Sequence, residues 1–180
     1  APTQIGSMDL GANGNEVVAS GNFAYVASAH DSREVQVVNI ATPSAPSLAG
    51  SLNLSGTVDA TTVSLSGTTL LVGQGSTLFM VAVSTPSSPS VLGSVNVSDT
   101  LNDIALTFGN SNTRAFVATS SNTAEFQVVD ISVPSSPSIV GSVDVAGNTD
   151  LLGVAYSETL DRAFGVSASN TEEFIVFAPQ

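Results

Sequence analysis

A seven-residue motif built on Gly-Ser is written four times along the chain, and its spacing constrains every fold the chain can take. The copies are Gln4-Ile5-Gly6-Ser7-Met8-Asp9-Leu10, Leu48-Ala49-Gly50-Ser51-Leu52-Asn53-Leu54, Val91-Leu92-Gly93-Ser94-Val95-Asn96-Val97 and Ile139-Val140-Gly141-Ser142-Val143-Asp144-Val145. Their glycines, Gly6, Gly50, Gly93 and Gly141, step by 44, 43 and 48 residues. A period of this length marks a repeat architecture in which each unit buries its apolar face against the next. A Pro-Ser marker precedes three of the copies: Thr42 to Ser47, Thr85 to Ser90 and Val133 to Ser138, with Ala178-Pro179-Gln180 opening a further one.

Between markers lie three apolar-rich runs of strand length, bounded by Gly, Asn and Ser. In the first repeat they are Glu16 to Ser20, Phe23 to Ser28 and Glu34 to Ile40, and in the third Asp103 to Phe108, Ala115 to Thr119 and Glu125 to Ile131. The Gly-Ser motif supplies a fourth. Four strands in about 45 residues without a helical stretch is the arithmetic of a propeller blade. The expected fold is all-β, a β-propeller of four four-stranded blades in one repeat domain over 1–180, with repeats at about 4–47, 48–90, 91–138 and 139–180. The chain begins on a fourth-strand motif and finishes just after a third strand. The N-terminal strand Gln4 to Leu10 is therefore expected to complete the last blade, or to be donated to another molecule, building a larger ring or a fibre.

The chain resembles the LVIVD-repeat family in Phe23-Ala24-Tyr25-Val26-Ala27, in Val35-Gln36-Val37-Val38-Asn39-Ile40, and above all in Phe126-Gln127-Val128-Val129-Asp130-Ile131-Ser132-Val133-Pro134-Ser135-Ser136-Pro137. The resemblance covers essentially the whole length. It implies a β-propeller of a bacterial or archaeal secreted or cell-surface protein, sometimes joined to anchoring segments, and it implies no catalytic residues. The second repeat departs from the pattern at Ala82 and the fourth at Phe177-Ala178.

Charge narrows the partners. Fifteen Asp and Glu stand against three Arg and no Lys, for a net charge of −12. A basic nucleic-acid footprint is excluded, as is docking on an anionic membrane through clustered cations. No apolar run is long enough to insert in a bilayer as a helix. The absence of cysteine removes disulfides, thiolate nucleophiles and cysteine-type zinc sites. An acidic, lysine-free surface rich in Ser and Thr points to an extracellular or cell-surface location. The opening Ala1-Pro2-Thr3-Gln4 carries no signal core, so an exported chain has lost its leader or anchor.

Candidate sites are few. Asn13, Asp59, Asn102 and Asp150 align at the entry to the innermost strand of each blade, where four oxygens around an axis would suit Ca²⁺. The same residue types cap turns through backbone amides. Asn39 and Asp130 are expected to fix the turn before the Pro-Ser marker. His30 has no partner motif for nucleophilic or zinc chemistry, and Glu172-Glu173 and Asp99 with Asp103 do not define a glycosidase pair. Arg33, Arg114 and Arg162 stand where local ion pairs account for them. The sequons at Asn53 and Asn96 recur by repetition. The expectation is a non-catalytic structural or interaction module without a cofactor, partnered by proteins or by itself through the terminal strands. The alternative is a propeller holding a cation or glycan at its axial face, and a hydrolase ranks behind both.

Overall fold

Alternating β-branched and aliphatic residues, broken by Gly-containing pairs that turn sharply, dictate short antiparallel strands throughout. The computed structural model describes residues 1–107, 113–147 and 149–178. The first sheet contains β1 (Gly14–Ser20), β2 (Phe23–Ser28), β3 (Val35–Asn39) and β4 (Ser47–Leu52), and the second β5 (Ala60–Ser66), β6 (Thr69–Gln74), β7 (Thr77–Ala82) and β8 (Ser90–Asn96). The third contains β9 (Leu101–Leu106), β10 (Arg114–Thr119), β11 (Phe126–Asp130) and β12 (Ser138–Val143). The fourth has only β13 (Leu151–Ser157), β14 (Arg162–Ser167) and β15 (Phe174–Phe177).

All pairings are antiparallel between consecutive strands. Gly21, at φ 57°, and Gly67, at φ 59°, make the two-residue turns after β1 and β5, a left-handed geometry that glycine enters without steric cost. In the fourth sheet Asp161 takes φ 50° in the corresponding hairpin, and the Tyr156 hydroxyl donates to its Oδ1 at 2.8 Å.

The sheets lie face to face in chain order through their first strands: β1 packs on β5, β5 on β9 and β9 on β13. Three apolar clusters fill the junctions. Tyr25, Ala27, Val35 and Val37 of the first sheet meet Val63, Leu70, Val72 and Phe79 of the second. Leu71 and Met80 meet Ile104 and Val117, while Phe116, Phe126 and Val128 meet Leu151, Val154, Ala163 and Phe177. Phe126 stacks on Phe177 with ring centroids 4.0 Å apart. Each middle sheet is thus buried on both faces, which explains the near-continuous apolar runs of β6 and β7.

The repeat, the strand-length runs and the third- and fourth-strand boundaries agree with the sequence to within about two residues; the Phe108 end of one run and the Pro179-Gln180 marker lie outside the described residues. Two features differ. No comparable packing joins β13 back to β1, so the row of sheets is open among the described residues. Gln4 to Leu10, expected as the fourth strand of the last sheet, instead lies at the other end of the row. A Cβ placed on Gly6 would overlap the Pro43 carbonyl oxygen of the first sheet. Among the described residues no ladder joins this segment to β15, and the fourth sheet ends there.

Candidate interaction surfaces

A β-bulge at the second residue of each first strand aims one side chain at the next sheet. Register shifts fall between Gly14 and Glu16, Ala60 and Thr62, Leu101 and Asp103, and Leu151 and Gly153. The bulged residues are therefore Asn15, Thr61, Asn102 and Leu152. Asn15 Nδ2 donates to the Ala60 carbonyl at 2.7 Å, Thr61 Oγ1 to Leu101 at 3.1 Å and Asn102 Nδ2 to Leu151 at 2.8 Å. The following residue adds a second tie: Glu16 Oε2 accepts from Val63 N and Asp103 Oδ2 from Val154 N, both at 2.8 Å. In the fourth sheet these two positions are Leu152 and Gly153, which have no side-chain polar atom to offer.

The outer edge of each sheet is closed by a different device. Glu34 and Glu125 precede β3 and β11 and are both buried; Glu34 Oε2 accepts from Leu54 N at 2.9 Å and Glu125 Oε2 from Val145 N at 2.7 Å. Glu173 occupies the same place before β15 and is exposed. On the fourth strands, Gly50 and Gly93 press against the Pro86-Ser87 and Pro134-Ser135 turns of the following sheet, leaving no room for a Cβ. Gly6 makes the same approach to Pro43-Ser44. The N-terminal segment thus sits on the first sheet as the outer strand of a preceding sheet would.

The two ends of the row present apolar surface of matching origin. Registers make Phe164, Val166, Phe174 and Val176 equivalent to Phe116, Ala118, Phe126 and Val128, which bury against the next sheet. Phe174 is 65% exposed and Val176 56%. At the other end Val17 is equivalent to Val63, Ile104 and Val154, all buried in junctions, yet is itself 61% exposed. Val17 borders a groove of about 360 Å³ with Met8, Leu10, Val26, Val38 and Pro46. Each such side chain left in water forgoes about 1.5–3 kcal/mol of burial energy. Adjoining exposed apolar groups of this kind mark interaction surfaces.

The sequence-predicted positions resolve into local structural roles. The backbone carbonyls of Asn13, Thr100 and Asp150 accept from Ala29, Ser120 and Ala168 at 2.9, 2.9 and 3.0 Å. Thr100, not Asn102, therefore matches Asn13, Asp59 and Asp150, and Asn102 lies two residues further in, on the bulge. Asp59 lines a hollow with Asp31 and Glu34. No three His, Cys, Asp or Glu side chains among the described residues are placed to share a metal ion. Asn39 and Asp130 behave as expected: their Oδ1 atoms accept from Ala41 N and Ser132 N, each at 2.9 Å. Hydrogen bonds from Ser132, reinforced by Arg114 at 2.7 Å, hold the Asp130 carboxyl below its ordinary value against a partial burial cost. Tyr156 is raised by its hydrogen bond to Asp161.

His30 Nε2 lies 3.1 Å from Arg33 Nε and its Nδ1 accepts from Ser32 N, so Arg33 has a histidine rather than an acid beside it. Arg162 bonds the Asp161 carbonyl. Asp103 accepts from the backbone amides of Val154 and Ile104, each at 2.8 Å. Glu34, Glu125, Asn15 and Glu16 were the functional side chains least visible beforehand. The recurrence of Glu-x-Gln at 34–36 and 125–127 is the signal that marks the first two.

Stacked four-stranded sheets with this strand order define a propeller-like repeat protein. The LVIVD repeat model matches residues 12–54, 58–97 and 114–145, and the chain belongs to the LVIVD-repeat family. Among curated proteins no match is found. Among solved structures the chain is similar to the computationally designed Ika4 protein, at TM-score 0.71 and 14% identity over 98% of both chains. It is also similar to the computationally designed Ika8 protein, at TM-score 0.64 and 15% identity, covering 89% of this chain and 44% of that one. At such identities the likeness is one of fold.

Proposed function

We infer that the chain is a non-catalytic extracellular module, displayed at or beyond the cell surface, which works through protein contacts as a structural or adhesive unit. The observation that carries this reading is how its polar side chains are used. Glu16, Glu34, Asn15, Asn102, Asp103 and Glu125 are each bonded to a backbone group within or between sheets, while apolar side chains stand exposed at both ends. Such a chain spends its chemistry on rigidity and offers surface. The acidic, lysine-free composition supports an extracellular setting, and the terminal segment provides a strand with which a ring of blades closes.

Surface labelling of intact cells that make the protein tests the reading. Labelling without lysis is expected; a chain reached only after lysis contradicts it. A cation or glycan at one face of the blades is the alternative, and a calcium titration followed by melting separates the two, because an ion bound only by the folded chain raises the midpoint.

A further inference from the structure

The two open ends are the two halves of a single junction. At every internal junction, one sheet offers the face seen in Phe116, Ala118, Phe126 and Val128, and the next receives it on the face seen in Leu151, Val154, Ala163 and Phe177. The fourth sheet leaves Val166, Phe174 and Val176 exposed with Phe164 half-buried beside them, and on the corresponding face of the first sheet Val17 is exposed while the buried Val26 and Val38 line a groove with Met8 and Leu10.

The edges match as well as the faces. In the complete sheets the third and fourth strands pair as Val35 with Leu52, Leu78 with Val95 and Phe126 with Val143, two residues before the end of each seven-residue motif. The same register sets Phe174 opposite Met8, Ile175 opposite Ser7 and Val176 opposite Gly6. It also brings the backbone N–H of Leu10 to the carboxylate of Glu173, reproducing the bonds of Leu54 to Glu34 and Val145 to Glu125. The outer edge of β15 is unpaired among the described residues, and Gly6 already sits against Pro43 as the fourth strand of a preceding sheet does.

We propose that the partner is a second copy of this chain: Gln4–Leu10 of each copy becomes the fourth strand of the other's last sheet, and two open rows close into one eight-bladed ring. The proposal rests on the interaction-module reading and names its partner. Strand addition supplies main-chain hydrogen bonds and the flanking faces supply burial. A head-to-tail contact closes when the rotation returns to the start. The match to Ika8, in which this chain corresponds to 44% of the partner's length, shows that the arrangement of sheets fits within a chain about twice as long. The new junction lacks the polar ties of the internal ones, since Leu152 and Gly153 stand where Asn102 and Asp103 act. It is therefore the reversible one.

The chain has no cysteine, so cross-linking reads the register directly. Chains of 180 residues carrying Met8→Cys and, separately, Phe174→Cys, each with its own tag, are co-produced and oxidised; both positions allow the short Cα separation a disulfide needs if the strands pair as described. A covalent pair bearing both tags is expected, and the doubly substituted chain is expected to stop at two copies. Absence of the mixed pair, closure of the doubly substituted chain within itself, or a ladder beyond two copies each overturns the proposal. The mass of the unsubstituted protein in solution gives a second readout that no substitution can disturb. A cross-linked pair found in a chain that is not surface-exposed would leave this inference standing and remove the extracellular reading; a surface-exposed chain without the pair would do the reverse.

Discussion

Glu125 accepts the backbone N–H of Val145 at 2.7 Å inside the protein, and Glu34 accepts that of Leu54 at 2.9 Å at the same place two sheets earlier. Both carboxylates tie the start of a third strand to the end of the fourth. Glu125→Ala leaves the Val145 amide unpaired in a buried site, and a loss of about 2 kcal/mol is expected from urea unfolding. Glu173 has no such partner within its own sheet. Glu173→Ala is expected to leave the unfolding of the separated chain unchanged and to weaken pairing between copies by about a hundredfold or more, one hydrogen bond to a charged group being lost at each of the two junctions, measured by sedimentation equilibrium.

The bulge contacts hold neighbouring sheets together. Asp103→Ala removes the acceptor of Val154 N, and Asn102→Ala the donor to Leu151 O. Each is expected to cost about 1–3 kcal/mol. The two share one junction, so the double variant is expected to lose less or more than the sum of its parts, and a double-mutant cycle by chemical unfolding reads that coupling.

Glycine is required where fourth strands touch the next turn. Gly93→Ala forces its new methyl into Pro134 and Ser135, and a loss of about 1–3 kcal/mol is expected. Among the described residues a methyl at Gly141 meets only the Val128 side chain at 3.9 Å, ordinary contact, and Gly141→Ala is expected to be nearly neutral. Thermal melts of the pair make the comparison.

Asp130 contributes to acid sensitivity. Its folded-state pKa lies below the unfolded value because hydrogen bonds from Ser132 and Arg114 favour the carboxylate. The stabilisation is therefore present above the unfolded value near 3.8 and lost as pH falls through the folded one. Asp130→Asn is expected to flatten the loss of stability below pH ~4, followed by denaturant midpoints across that range. The effect is small, since the pair is partly solvated.

The repeat itself was legible in the residues. The Gly-Ser copies became β4, β8 and β12, and Asn39 and Asp130 took the turn role that a short polar side chain before Pro-Ser dictates. Asn102 was not legible in its true place. A bulge adds one residue without altering the apolar pattern, so a polar side chain at the bulge was drawn into line with Asp59 and Asp150, where Thr100 stands. The approach of Gly50 to Pro86 joins residues of different repeats, and no local periodicity encodes it. Which end stays open depends on whether the curvature summed over the sheets brings β13 to β1, a property of all the junctions together rather than of any segment.

Light scattering across a dilution series, at low and at physiological salt, tests the central claim that two copies complete one another. Each copy carries a net charge of −12, so screening should favour association. The account predicts a mass that rises from 18.1 kDa at high dilution to twice that value and stops there, with the transition at lower concentration in salt. A mass of 18.1 kDa at every concentration, or growth without a plateau at two copies, would contradict it.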